Sequence, residues 1–518
     1  MLYLAFIFHM HQPYYKNLLT KETDVPWVRL HGIKDYLDMV KMLDKYPAVR
    51  QTFNLVPSLV EQVEDYVSGE VKDKFFELTL KPADKLDQQD KEFLLSRFFS
   101  INPEKCIAVH PRYYELYLKH KASKNFTTQD FLDLQVWFNL AWFDPYFRRN
   151  IPALKKIVGK GRFYNEEDKT IVLNTQLEIL SGVIPVYKEF IAKGQIEASI
   201  SPYYHPILPL LYNTKTAKEA NIKTTLPQVQ FSWPQDAKAQ IDEAVEFYKA
   251  RFGMAPAGMW PSEEAVSRHI LPFIMESGIK WIVADEGILF RSLGLKKRDT
   301  RALYKPHLLK GKEGQLSIIF RDRNLSDLIG FVYHRWDSKS AVADFMKHLE
   351  NIAAAFKNQD ILVTIAMDGE NAWEYYANDG HDFLELLYEN LSSAKFVTAT
   401  TPQEYLKSHP AEHEIKRLAP GSWIYGEFGK WIGNPHKNRA WESLTEARSE
   451  LERIEKEGSD GIDIKLAWKQ MRVLEGSDWF WWYGEDPNGD FDKLFRMHAR
   501  NFYQIIGKPH PAYLNNSL

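Results

Sequence analysis

The 518-residue chain is 45% hydrophobic and 26% charged, too apolar for a disordered protein and too long for one small domain. Its 66 Lys and Arg nearly balance 69 Asp and Glu, and a formal charge of -3 gives no electrostatic basis for a nucleic-acid partner. The single cysteine, Cys106, excludes an intrachain disulfide and any multi-thiolate metal site, as expected of a reducing compartment.

The chain opens on an apolar run, residues 2–8 (LYLAFIF), with no basic stretch before it and His9 and His11 directly after. This reads as a strand rather than a secretory signal, and no other stretch approaches the roughly 18 uncharged apolar residues of a membrane span. A cytoplasmic protein with no membrane partner is the expectation. Further strand-like runs fall at residues 50–55, 196–200, 257–260, 281–284, 316–320 and 362–367. Helical periodicity lies between them at 33–45, 171–192, 236–252, 264–277 and 340–356, and residues 71–125 read as an inserted helical subdomain with Cys106 inert inside it. Seven such runs separated by helices predict a parallel α/β barrel with insertions. Beyond residue 390 helices dominate, at 444–457, 462–474 and 491–506, so a barrel domain (1–390) and a helical domain (391–518) are expected.

Four of the runs end alike. Polar groups follow at once: His9-Met10-His11-Gln12, Pro261-Ser262-Glu263, Asp285-Glu286 and Asp368-Gly369-Glu370-Asn371. In parallel barrels catalytic groups collect where strands end, because the following loops converge on one mouth. Each acid taken singly also fits a helix cap, Ser262 with its acids ahead of 265–277 being the plainest case. Two carboxylates in a cleft walled by Trp and Tyr, which make this chain 14% aromatic together with Phe, suit glycoside cleavage. His9 and His11, on one face of a strand, suit sugar hydroxyls or a metal joined by Asp285, Asp368 or His205. The segment 479–486 (WFWWYGED) fits a seam between domains better than a sugar platform, since its Trp residues cannot share one helix face.

The chain resembles glycoside hydrolase family 57, most nearly the catalytic part of its amylopullulanase and α-amylase members. The resemblance rests on five motifs in order: HQPY at 11–14, GQIEASISPYYHP at 194–206, GMWPSEEAV at 258–266, AMDGENAWEYY at 366–376 and GSWIYGEFGKWIGNPHKNRAWE at 421–442. It implies a (β/α)7 incomplete TIM-like barrel with helical insertions and a C-terminal helical bundle that contributes to the cleft. It also implies retaining chemistry on α-glucosidic bonds, with Glu263 as nucleophile and Asp368 as acid/base. Substrate contacts are expected from His9, His11, Gln12, Tyr14, His205, Trp260, Glu370, Trp373, Trp423 and Trp431, with Asp285 added because a strand end aims it at the same mouth.

No cofactor or catalytic metal is implied, a structural calcium stays open, and the expected partner is an α-glucan oligosaccharide or polysaccharide. The leading expectation is an α-glucan hydrolase for α-1,4 bonds, with α-1,6 bonds a further candidate. The rivals are a 4-α-glucanotransferase or branching enzyme of the same family, a metal-dependent deacetylase or α-mannosidase-like enzyme built on His9, His11 and Asp285, and a silent glucan-binding protein.

Overall fold

The computed structural model describes residues 1–458, 461–485 and 489–518. Seven strands build the barrel: β1 (Leu2–Met10), β2 (Gln51–Leu55), β3 (Ile196–Ile200), β4 (Gly258–Met259), β5 (Trp281–Asp285), β6 (Gly314–Arg321) and β7 (Ile361–Asp368). Each is parallel to its neighbours, in the order β7-β1-β2-β3-β4-β5-β6, and the pair Thr364–Arg321 joins β7 to β6 and closes the ring. All seven expected runs are barrel strands. They read clearly because strands covered on both faces are apolar throughout.

Alternation along β1 and β7 decides what reaches the interior. Ala5 and Ile7 fill the barrel with Trp260, Trp281, Val283, Ile319, Leu362 and Ala366, whereas Leu4, Phe6 and Phe8 pack outward in the larger core beneath the helices. The period of two continues the inward set to His9 on β1 and Asp368 on β7, which stand opposite each other in the register.

Two elements depart from expectation. Residues 33–45 are not one helix: a π turn (Gly32–Tyr36) precedes a short helix (Asp38–Met42) and a 3-10 turn (Leu43–Lys45). Gly32 sits so close to the helix Glu166–Ala192 that a Cβ there would lie 2.2 Å from Leu180. Residues 264–277 are helical only at Leu271–Glu276, and Ser262 caps nothing, its buried hydroxyl lacking a partner.

The insertion between β2 and β3 is mainly helical and runs from the helix Pro57–Ser68 to Glu166–Ala192, beyond the limits 71–125 on both sides. The boundary at 390 falls too early. Val397–Thr400 is a further strand, parallel to β1 along Leu2–Ala5, and the next helix, Pro402–Ser408, lays Tyr405 against the barrel interior. The remaining C-terminal helices are Pro435–Glu457, Ile464–Leu474, Ser477–Trp482 and Asp490–Ile505. Among the described residues no helix is long and apolar enough to cross a membrane.

Candidate active site

The C-terminal ends of the strands open into a cavity of about 780 Å3 that takes in His9, His11, Gln12, His205, Glu263, Asp368, Glu370 and Trp423. Glu263 reaches it through its backbone. It and Glu264 both adopt left-handed φ (57° and 50°), which costs each non-glycine residue roughly 1–2 kcal/mol and persists only where the surroundings enforce it. The turn aims Glu263 into the cavity and buries Glu264, whose two carboxyl oxygens have no hydrogen-bond partner.

Trp423, on the segment after the barrel, donates its indole N–H to Oε2 of Glu263 at 2.7 Å. The same segment is zipped to the turn by main-chain bonds, Trp423 N–H to the Glu263 carbonyl and Val266 paired with Gly421. Burial pushes the Glu263 carboxyl up to about 8, and the charge of Asp368 adds to the rise while the indole opposes it. Burial also raises Asp368, against an N–H donated by Asn371 at 3.3 Å. Two raised carboxyls facing one cavity hold a proton between them at neutral pH.

Four rings stand in a column beside the acids. Trp260 stacks on His9 (4.9 Å), His9 on His205 (4.9 Å) and His205 on His11 (4.0 Å). Nδ1 of His9 donates to Oδ1 of Asn54 at 2.6 Å, and burial, with His11 nearby, drives its pKa down to about 3, so the ring is neutral. His205 is lowered too, by burial and then by His11 and His9. The helix Ser477–Trp482 holds the outer rings: Nδ1 of His205 meets Oγ of Ser477 at 3.0 Å, and Nε2 of His11 donates to Asp478 at 2.8 Å. Nε2 of His205 stays buried without a partner. Below the column, Glu370 accepts from Gln12 Nε2 (3.1 Å) and the His11 N–H (3.2 Å), and burial raises it well above its ordinary value.

Five expected contacts lie elsewhere. Tyr14 turns away, donating to Glu61 at 2.8 Å, and its neighbour Tyr15 lines the cavity instead. Asp285 is wholly buried, capping the helix Glu286–Ser292 through the Gly287 N–H and pairing with Arg323, which also removes a ligand from the metal-enzyme reading. Trp260 is sealed under His9, Trp373 packs on Phe8 and Tyr376, and Trp431 lies in the C-terminal core. The 479–486 segment divides: Trp479 and Phe480 pack among the C-terminal helices, against His498 and against Trp441 and Phe495, rather than forming a seam between domains, Trp481 and Trp482 line the cavity, and Asp486 lies outside the described residues.

Sequence reasoning missed Asn54, Tyr15, Ser477 and Asp478. The polar pair just before the aromatic run at 479 was the one available signal for the last two. Among the described residues, His11, His205 and Asp478 bring ligand atoms within 4.8 Å of one another.

A second cavity, of about 920 Å3, shares Asp368, Asn371, Tyr375, Trp423 and Trp481 with the first. It continues past them between Phe331 and Tyr425, the latter 92% exposed. Asp368 and Trp423 therefore stand where two open hollows meet, with Glu263 on the side of the first.

The family model described as "Glycosyl hydrolase family 57" matches residues 5–417. Alpha-amylase 1 of Dictyoglomus thermophilum is 28% identical over 258 residues, a match covering 49% of this chain and 32% of that protein, so the likeness spans about a third of the relative. Among solved structures, a family 57 branching enzyme from Thermococcus kodakaraensis superposes with a TM-score of 0.62 at 17% identity, covering 97% of this chain and 90% of that one. The α-amylase AmyC from Thermotoga maritima gives a TM-score of 0.60 at 13% identity, covering 98% and 93%. At these identities the superpositions show a shared fold.

Proposed function

Because the chain belongs to glycosyl hydrolase family 57, we propose that it is a retaining α-glucan hydrolase acting on α-1,4 bonds, with α-1,6 bonds as additional substrates. One observation carries the reading: Glu263 and Asp368, 105 positions apart in sequence, line a single cavity beside Trp423. Asp368 donates its proton to the glycosidic oxygen as Glu263 attacks the anomeric carbon and forms a covalent glycosyl-enzyme. Asp368, now a base, takes a proton from water, and the hydroxide released to the anomeric carbon frees Glu263. The indole of Trp423 favours the ionised form of Glu263 against the effect of burial and aims the carboxylate.

Burial raises both carboxyls, and the cycle calls for the proton on Asp368 and an ionised Glu263. His11, His205 and Gln12 supply hydrogen bonds to the sugar beside the cleavage point, with Asp478 and Ser477 holding the imidazoles in place. The cycle uses no metal or cofactor.

The meeting of two hollows at Asp368 fits cleavage within a glucan chain. It also supports a second reading, transfer to an acceptor sugar, because Phe331 and Tyr425 offer an apolar floor on which a second chain could stack. Incubation with maltoheptaose separates the two: shorter products alone mark a hydrolase, and products longer than the substrate mark a transferase. A first-formed product of β configuration, read by proton NMR, overturns the retaining cycle.

A further inference from the structure

A third cavity, of about 480 Å3, lies on the far side of the cleft wall, and we propose that it binds a small phosphomonoester such as a sugar phosphate. Five cations line it, Lys34, Lys105, Arg148, Arg149 and Lys155, against one carboxylate, Asp379. That carboxylate is already engaged, accepting from Lys34 Nζ at 3.2 Å, and Lys34 also pairs with Asp35 at 2.6 Å. Arg148 donates from Nη1 to Nε2 of His110 at 3.0 Å. Burial and the guanidinium drive that imidazole down to about 4, so the partner is a neutral ring and supplies no counter-charge. The nearby acid Asp144 is raised well above its ordinary range by burial. Among the described residues no carboxylate pairs with Arg148, Arg149 or Lys155.

Arg148 has no carboxylate within ion-pair distance, Asp144 and Asp379 acting on it only from farther off while burial lowers it, and a phosphate group supplies a direct partner through paired N–H···O bonds. The volume exceeds what phosphate alone fills and falls in the range of pockets for small organic ligands.

The cavity shares its walls with the cleft. Residues 101–103 line the cleft, and Lys105 and Cys106 line the third cavity. Asn371, Glu374 and Tyr375 line the cleft, and Asn378 and Asp379, both with left-handed φ (55° and 53°), line the third cavity. An occupant therefore braces both segments from behind and lowers KM for the cleft's substrate.

Titration calorimetry on the full chain with glucose 6-phosphate, inorganic phosphate and glucose tests the site independently of any turnover. Saturable binding of glucose 6-phosphate is expected, at least tenfold weaker in the exposed double variant Arg149→Gln/Lys155→Gln and lost in Arg148→Gln. Equal binding of inorganic phosphate would assign the site to the free anion. Absence of saturable binding of either anion at millimolar concentration, or binding that ignores both variants, overturns the site. The KM reading alone rests on the proposed function: a KM unchanged under saturating anion, with binding intact, overturns the coupling but not the site.

Discussion

The indole of Trp423 and the carboxylate of Glu263 are joined twice, side chain to side chain at 2.7 Å and main chain to main chain at 3.2 Å. A segment beyond the barrel therefore fixes the group proposed to attack the sugar. Trp423→Phe keeps the ring and removes the donor. A hydrogen bond to a charged group is worth about 1.5–3 kcal/mol, so kcat should fall about ten- to a hundredfold. The Glu263 pKa should rise further, moving the pH profile upward. An unchanged profile would show that the bond does no electrostatic work.

Glu263→Gln should abolish turnover while glucan binding, followed by calorimetry, persists. Asp368→Asn should depress cleavage of natural glucans far more than that of an aryl glucoside whose leaving group needs little protonation. The reverse pattern, with Glu263→Gln the leaving-group-sensitive variant, would exchange the two roles.

The raised Glu263 carboxyl also carries a signature in stability. Its folded pKa, about 8, lies above the ordinary value of 4.5, so the folded state binds the proton more tightly than the unfolded one. The group is harmless below 4.5, weighs increasingly against the fold as pH rises from 4.5 to 8, and exerts its full effect above 8. Glu263→Gln should therefore raise Tm at pH 9 and leave it almost unaltered at pH 4. A gain that does not grow with pH would contradict the burial argument.

Asp285 and Tyr14 should report on stability alone. Breaking the buried Asp285–Arg323 pair by Asp285→Ala should cost about 3–5 kcal/mol in denaturant unfolding. Tyr14→Phe, losing one bond to Glu61, should cost about 1 kcal/mol. In the folded fraction of either variant KM should match the parent, whereas His205→Ala, at an imidazole that opens onto the cavity, should raise it.

Exhaustive chelation should leave turnover unchanged, since no step of the cycle passes through a metal. Loss of activity restored by zinc would redirect attention to His11, His205 and Asp478.

How much of this was legible in advance follows from what each signal encodes. Strand runs were plain because parallel strands hidden on both faces carry unbroken apolar sequence, and parity along β1 and β7 then places His9 and Asp368 inside. The tryptophans misled. A ring packed in a core and a ring offered to a sugar have the same composition, and only the fold separates Trp423 and Trp481 from Trp260, Trp373 and Trp431. The left-handed pair Glu263–Glu264 ended a periodicity that reads as helix, because nothing in the residue types marks the strain. Ser477 and Asp478 offered only their polarity ahead of the aromatic run, because they meet His205 and His11 only after the last helices fold back across the barrel mouth.

That return carries a consequence for how such a protein can change over generations. Two of the imidazoles take their bearings from a helix that supplies neither carboxylate, so mutation among the late helices could retune sugar preference while the bond-breaking acids stay untouched. By the same token, a version trimmed back to its β/α ring would keep both acids yet set its histidines adrift.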